Sequence, residues 1–138
     1  MPNFHYDIDG EDYSVAGQAS SSIKKILKQL GASPEIIRKT AISMYEGEIN
    51  TVIHGKGGSA DVEIASDKIV ITFRDNGPGI KDIEKAMQEG FSTASDEARE
   101  LGFGAGMGLP NMKKYSDELN ITSEIGKGTT VEIIINLV

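Results

Sequence analysis

The residues best suited to chemistry are a carboxylate and an amide one helical turn apart. Glu46 and Asn50 lie four positions apart in a segment that predicts a helix, so their side chains share one helical face. A carboxylate can accept a proton from a hydroxyl or a water. A neutral amide oxygen can ligate Mg²⁺ beside the phosphates of a bound nucleotide. Glu48 is offset by two residues and faces another side of the helix, so it cannot take the place of Glu46.

A glycine between these two residues adds a packing signal. Gly47 lies in the interior of the predicted helix, where glycine costs about 1 kcal/mol relative to alanine. This cost indicates that another element packs closely against the helix at that point. Without further signals, however, the pair Glu46 and Asn50 is more typical of a solvated polar stripe on a surface helix.

A second cluster follows a predicted strand. The segment Asp75-Asn76-Gly77-Pro78-Gly79 ends the strand with residues that form ordinary turns. In a binding site, the Asp75 carboxylate would accept a hydrogen bond from an exocyclic amine. Gly77 and Gly79 would let the backbone approach a flat ring, because they carry no Cβ. A turn and a ring-binding site explain this segment about equally well.

The third cluster is a glycine-rich stretch. Residues 90–108 show little periodicity, and a connection of that length is usually a functional lid or a disordered segment. The glycines lead into Leu109 and Pro110, which predict the start of a helix. Backbone N–H groups and the helix dipole favour anions there, and Lys113 and Lys114 follow about a turn later.

Hydrophobic periodicity predicts the elements that position these clusters. Alternation predicts strands at residues 4–8, 60–65, 68–74, 119–124 and 129–137. A helical period predicts helices at residues 19–30, 33–54 and 80–87, with another that begins at Leu109. These elements predict a single domain over residues 1–138 with an α+β fold. Its architecture is a two-layer sandwich, with helices on one face of a mixed, largely antiparallel sheet.

Composition excludes several classes of function. The 138 residues include 14 Lys and Arg against 21 Asp and Glu, a net charge of −7, which argues against a nucleic-acid binder. The chain has no cysteine, so disulfides and thiolate chemistry are excluded. No apolar run is long enough to span a membrane, and a cytoplasmic protein is the expectation. The glycine spacings match neither a P-loop nor a dinucleotide fingerprint.

In this order, the clusters resemble the four sequence boxes of the GHKL ATPases. The boxes are Glu46-x-x-x-Asn50, Asp75-x-Gly77-x-Gly79, Gly104-Ala105-Gly106-Met107-Gly108 and Gly128-Thr129-Thr130. Within that superfamily, the chain is most similar to the single-domain serine kinases of bacterial partner-switching systems, which include anti-sigma factors and stress-switch kinases. Gly90-Phe91-Ser92-Thr93 and Gly106-Met107-Gly108-Leu109-Pro110 carry this narrower resemblance.

The resemblance implies a role for each matching residue and implies ATP and Mg²⁺ as cofactors. Glu46 would be the general base and Asn50 the Mg²⁺ ligand. Asp75 would bind the adenine amine, and Thr130 would help to hold the adenine. The resemblance also implies that further residues would shape the adenine pocket or form a mobile lid, at about residues 90–108, over the phosphates. These residues are Gly77, Gly79, Gly104, Gly106, Met107 and Gly108.

One residue departs from the family pattern. Anti-sigma kinases commonly carry an arginine just before the last lid glycines, where it touches the γ-phosphate, and Gly104 occupies that position here. Either Arg99, Lys113 or Lys114 compensates for it, or phosphate transfer is weaker than in those relatives.

The resemblance therefore implies a protein serine/threonine kinase that phosphorylates a small STAS-type anti-sigma-factor antagonist and so regulates a sigma factor. The alternative is a nucleotide-gated binding regulator that sequesters a sigma factor or activates a phosphatase without significant kinase activity. A third interpretation is a detached catalytic domain of a sensor histidine kinase. Relatives of this kind often form homodimers, and the oligomeric state stays open here.

Overall fold

The protein forms one antiparallel sheet covered on one face by helices. A computed structural model describes residues 2–11, 16–53, 57–77, 79 and 108–137. Neighbouring strands pair antiparallel in the order β1-β2-β3-β5-β4, so β1 and β4 form the edges. The strands are β1 (Asn3–Asp9), β2 (Gly57–Ile64), β3 (Lys68–Asp75), β4 (Glu118–Glu124) and β5 (Gly128–Asn136).

Alternation along the strands creates one buried face. On β3, Ile69, Ile71 and Phe73 are almost fully buried, whereas the residues between them are exposed or half-buried. On β5, Ile133 and Ile135 continue the same layer. This apolar face lies under the helices and forms the core, whereas the opposite face carries mainly polar side chains.

In the part of the chain that the structure describes, three helices cover the buried face: α1 (Gln18–Gln29), α2 (Pro34–Ile53) and α3 (Gly108–Tyr115). α1 ends before Gly31, whose φ of 77° suits glycine. α2 begins after Ser33, whose hydroxyl accepts a hydrogen bond from the backbone N–H of Ile36 at 3.3 Å. α2 lies at the centre of the layer, where it contacts α1, α3 and the inner strands.

The predicted α+β fold is confirmed, and every strand pairing in the described part of the chain is antiparallel. β2 begins three residues earlier than predicted, at Gly57. The glycines at residues 55–58 predicted a break between the helix and the strand. Gly58 instead lies within β2, so close to β3 that a Cβ would overlap the carbonyl oxygen of Arg74. The predicted helix at residues 80–87 lies outside the described residues. No helix in the described ranges has the length and apolar character needed to cross a bilayer.

Candidate nucleotide site

Glu46 and Asn50 lie on the central helix α2, next to a residue that contacts β3. Both side chains are half-buried. Between them, the Cα of Gly47 lies directly against the ring of Phe73, and a Cβ at this position would overlap the ring. The predicted close contact at Gly47 is therefore confirmed. It brings the Glu46 turn of α2 next to the strand that ends, two residues after Phe73, at Asp75.

The surroundings of Glu46 raise its proton affinity. Burial disfavours the charged carboxylate and raises the pKa of Glu46, and this effect outweighs an opposing hydrogen bond from Asn111. Asn111 lies on α3 and donates through Nδ2 to Glu46 Oε1 at 3.5 Å. Sequence reasoning missed Asn111, because nothing in the sequence shows which face of α3 packs on α2. A half-buried carboxylate with a raised pKa is suited to accept a proton.

Glu48 has a separate structural task. Its carboxylate is 3% exposed and accepts hydrogen bonds from the first backbone N–H groups of α1. Glu48 Oε2 accepts from Gly17 N at 2.9 Å and from Ala19 N at 3.2 Å, and Oε1 accepts from Ser20 N at 3.0 Å. The prediction that Glu48 faces away from the Glu46 side is confirmed. Its position on the buried stripe with Met44 and Val52 is the sequence signal that could have revealed this cap.

Asp75 joins two turns at the end of the sheet. Its Oδ1 accepts hydrogen bonds from Gly77 N at 2.9 Å and from Thr129 N at 3.1 Å. Because the side chain follows Phe73 in the strand alternation, it lies on the helix-facing side of the sheet. Within the described ranges, both hydrogen bonds reach the same oxygen, so Oδ2 can accept another donor.

Two glycines let these turns approach each other. Gly79 has a φ of 82°, and a Cβ there would lie 2.6 Å from the carbonyl oxygen of Glu124. Gly128 has a φ of 128°, and its Cβ would overlap the carbonyl oxygen of Asp75. Contact with the protein's own backbone therefore explains why glycine is needed at position 79, whereas the sequence suggested contact with a flat ring.

The last box places a different threonine beside Asp75. Thr129 is buried on the helix-facing side, and its Oγ1 lies 3.0 Å from Ser123 Oγ on β4. Thr130 is the next residue on β5, and alternation places it on the opposite face of the sheet. The structure thus places Thr129 rather than Thr130 beside Asp75. The contact of Thr130 with adenine, which the resemblance implies, is not tested by this geometry.

Most of the residues predicted to form the lid cannot be placed in the described part of the chain. Gly104, Gly106 and Met107 lie outside the described residues, as does most of the lid predicted at 90–108. Gly108 is the first residue of α3, which also carries the exposed Lys113 and Lys114 in its last turn. In the described ranges, no three carboxylate or histidine side chains cluster in a way that could hold a metal ion. Mg²⁺ bound to a nucleotide usually takes few protein ligands, and Asn50 could supply one of them.

A family match accounts for this combination of sheet, helices and polar cluster. Residues 44–138 match the family described as histidine kinase-, DNA gyrase B- and HSP90-like ATPases. The match covers more than half of the chain, and the chain belongs to this family, the GHKL ATPases.

Curated relatives narrow the comparison to regulatory proteins. An anti-sigma F factor of Thermoanaerobacter sp. is 44% identical over 100 residues, which cover 69% of this chain and 65% of that protein. This chain thus spans just under two thirds of that relative. An anti-sigma F factor of Caldanaerobacter subterraneus subsp. tengcongensis is 36% identical over 120 residues, covering 87% of this chain and 76% of the relative. The serine/threonine-protein kinase RsbT of Bacillus subtilis is 30% identical over 115 residues, covering 80% of each chain.

Solved structures share the fold at low sequence identity. The RsbU and RsbW domains of a Mycobacterium tuberculosis protein superpose with a TM-score of 0.68 at 19% identity, covering 99% of this chain and 33% of that one. The SiaB-SiaC complex of Pseudomonas aeruginosa contains a chain with a TM-score of 0.64 at 12% identity, covering 96% of this chain and 88% of that one.

Proposed function

We propose that the protein is an ATP- and Mg²⁺-dependent serine/threonine kinase of a partner-switching system, and that it phosphorylates a STAS-type anti-sigma-factor antagonist. The observation that carries the proposal is the placement of Glu46, a half-buried carboxylate with a raised pKa, one helical turn before Asn50. A carboxylate in this state could act as a general base, a role that nucleotide binding alone does not use. The similarity to RsbT and to the anti-sigma F factors supports the same reaction class.

In the proposed reaction, Glu46 acts on the acceptor protein. Its ionised carboxylate takes the proton from a serine or threonine hydroxyl as that oxygen forms a bond to the γ-phosphorus of ATP. The bond from the γ-phosphorus to the β,γ-bridging oxygen breaks, and ADP leaves with both electrons of that bond. Asn111 would orient Glu46 by donating to Oε1.

The remaining residues would bind the nucleotide. Asp75 would accept the adenine amine through Oδ2, because the two turn amides fix its orientation through Oδ1. Asn50 would ligate Mg²⁺, which when bound neutralises charge on the phosphates during transfer. Gly77 and Gly79 would support the adenine pocket, whereas Gly104, Gly106, Met107 and Gly108 would close over the phosphates.

A second candidate function is favoured by one sequence position. Gly104 stands where related kinases commonly carry an arginine to the γ-phosphate. Without that positive charge, the protein would act mainly as a nucleotide-gated regulator that sequesters a sigma factor or activates a phosphatase by contact. In this case a complex would form without a phosphorylated product.

Phosphosite mass spectrometry on lysate of the source organism, incubated with the purified protein and Mg-ATP, tests the proposal. The matched variants are Glu46→Gln, which keeps the shape of the side chain but cannot accept the proton, and Glu63→Gln, an exposed change on β2. We expect one serine or threonine on a small STAS-type protein to be phosphorylated by the wild type and by Glu63→Gln, but not by Glu46→Gln.

Nucleotide binding must be measured on the same samples, because a variant that has lost ATP would give the same result. If Glu46→Gln binds ATP like the wild type and no phosphosite depends on Glu46, the kinase proposal fails and the binding regulator takes its place. A phosphohistidine product would instead favour the sensor-kinase interpretation.

A further inference from the structure

Charge is divided unequally between the two layers of the sandwich. The helices α1, α2 and α3 carry seven Lys and Arg against three carboxylates, of which Glu48 is buried and Glu46 half-buried. The five strands carry eight carboxylates against two cations. A chain with a net charge of −7 therefore presents a basic helical surface.

One part of that surface surrounds an aromatic ring. The guanidinium carbon of Arg38 on α2 lies 5.6 Å from the centroid of Tyr115, and the Nζ of Lys114 lies 5.3 Å from it. Lys113 precedes Lys114 on α3 and is also exposed. We name these four residues the Tyr115 patch. Within the described ranges, none of its three cations forms an ion pair, whereas the neighbouring Lys39 is paired with Asp117 at 3.0 Å.

The composition of the patch is typical of a protein-binding surface. Tyrosine and arginine are the residue types most enriched at interface hot spots, and the stacking on Tyr115 holds long cationic side chains in place before a partner arrives. Cations without carboxylate partners are also electrostatically complementary to an acidic surface.

The patch is close enough to the base to act in the same binding event. Asn111 and Tyr115 lie one turn apart on α3, where Asn111 contacts Glu46 and Tyr115 contacts Arg38. Glu46 and Arg38 are eight residues apart on α2, a separation of about 12 Å along the helix axis. An interface of ordinary size, about 800 Å² on each partner, covers both points.

We propose that the Tyr115 patch is the docking surface for an acidic segment on the acceptor protein. This inference rests on the proposed kinase function. Docking there contributes to binding of the acceptor and leaves the chemical step at Glu46 unchanged. The patch therefore acts on KM for the acceptor protein and on the salt dependence of the complex.

The experiment compares Arg38→Gln and Arg38→Glu with the matched control Lys68→Glu. Lys68 is exposed on β3, in the strand layer, and its replacement changes the charge by the same amount as Arg38→Glu. The first readout is the binding of a fluorescein-labelled oligoglutamate peptide at low salt, measured by anisotropy. The second readout is the steady-state phosphorylation of the acceptor protein. This acceptor is the protein that carries the Glu46-dependent phosphosite.

We expect Arg38→Gln to weaken peptide binding and to raise KM for the acceptor about fivefold, and Arg38→Glu to do so more than tenfold. The value of kcat and the affinity for ATP should stay within twofold of the wild type. The melting temperature should stay within a degree or two of it. Lys68→Glu should resemble the wild type in every readout. Added salt should reduce the difference between wild type and variants.

The readouts separate the two proposals. If the wild type phosphorylates its acceptor but Arg38→Glu leaves KM unchanged, the docking inference fails and the kinase function stands. If the patch variants lose peptide binding although the wild type transfers no phosphate, the kinase function fails and the acidic docking surface stands without its assigned acceptor. An equal loss in Lys68→Glu would show a nonspecific charge effect and overturn the inference.

Discussion

Glu46 and Glu48 lie two residues apart on the same helix and have opposite surroundings. The Glu46 carboxylate is half-buried, receives one long hydrogen bond from Asn111 and has a raised pKa. The Glu48 carboxylate is buried and receives three backbone N–H groups from the start of α1. One carboxylate is therefore poised to take a proton, whereas the other holds two helices together.

The first prediction concerns stability. Glu48→Gln replaces one acceptor oxygen by an NH₂ group that faces N–H donors, so we expect the free energy of unfolding to fall by about 2 kcal/mol. Glu46→Gln should leave it unchanged or raise it, because the native state disfavours that charge. Urea unfolding followed by circular dichroism measures both, with exposed Glu63→Gln as control. Equal losses in the two site variants would contradict the division of roles.

The second prediction concerns pH. Because Glu46 must be ionised to accept a proton, transfer should rise with pH through a midpoint above the usual range of a glutamate. The hydrogen bond from Asn111 lowers the pKa of Glu46, so Asn111→Ala should move this midpoint to higher pH. Asn120→Ala is the matched control, since this amide bonds Glu132 at 3.0 Å on the other face of the sheet. An unchanged midpoint in Asn111→Ala would argue against the assignment of Glu46 as the base.

The raised pKa of Glu46 also makes the free energy of unfolding depend on pH. A carboxyl group whose pKa is raised in the native state binds its proton more tightly there than in the unfolded chain. The stabilisation from Glu46 is therefore complete at acid pH, and it is lost as pH rises through the native pKa. Glu46→Gln should remove this part of the pH dependence of unfolding.

The third prediction concerns the contact between α2 and β3. Gly47→Ala improves helix propensity by about 1 kcal/mol, but its Cβ overlaps the buried ring of Phe73. We expect a net destabilisation of about 1–2 kcal/mol from overpacking. The double variant Gly47→Ala/Phe73→Leu should be less destabilised than the sum of its single variants, because the smaller side chain makes room. Additive losses in chemical denaturation would show that the two residues do not compete for space.

The fourth prediction separates the two threonines of the last box. Thr129→Val removes the hydroxyl that contacts Ser123 beside Asp75, whereas Thr130→Val changes the opposite face of β5. We expect the first to weaken ATP binding several-fold and the second to have less than a twofold effect, as measured by calorimetry. A larger effect of Thr130→Val would support the adenine role assigned to that residue by family resemblance.

Much of the fold could be predicted from local patterns. Alternating apolar residues identified all five strands, and the segment Ser33-Pro34 identified the start of α2, because these signals depend on neighbours in the sequence. The early start of β2 could not be predicted. Its glycines are required by the approach of β3, which is distant in the sequence, and glycine is equally common where chains turn.

The spacing of Glu46 and Asn50 determined their shared face, since helical geometry is local. Tertiary structure alone decided what surrounds that face: Asn111 comes from a helix 65 residues away, and Thr129 reaches Asp75 across 54 residues. The same holds for Glu48, whose partners are N–H groups of α1 about 30 residues earlier. Burial and contacts between distant elements set proton affinity and side-chain position, and residue types and spacing encode neither directly.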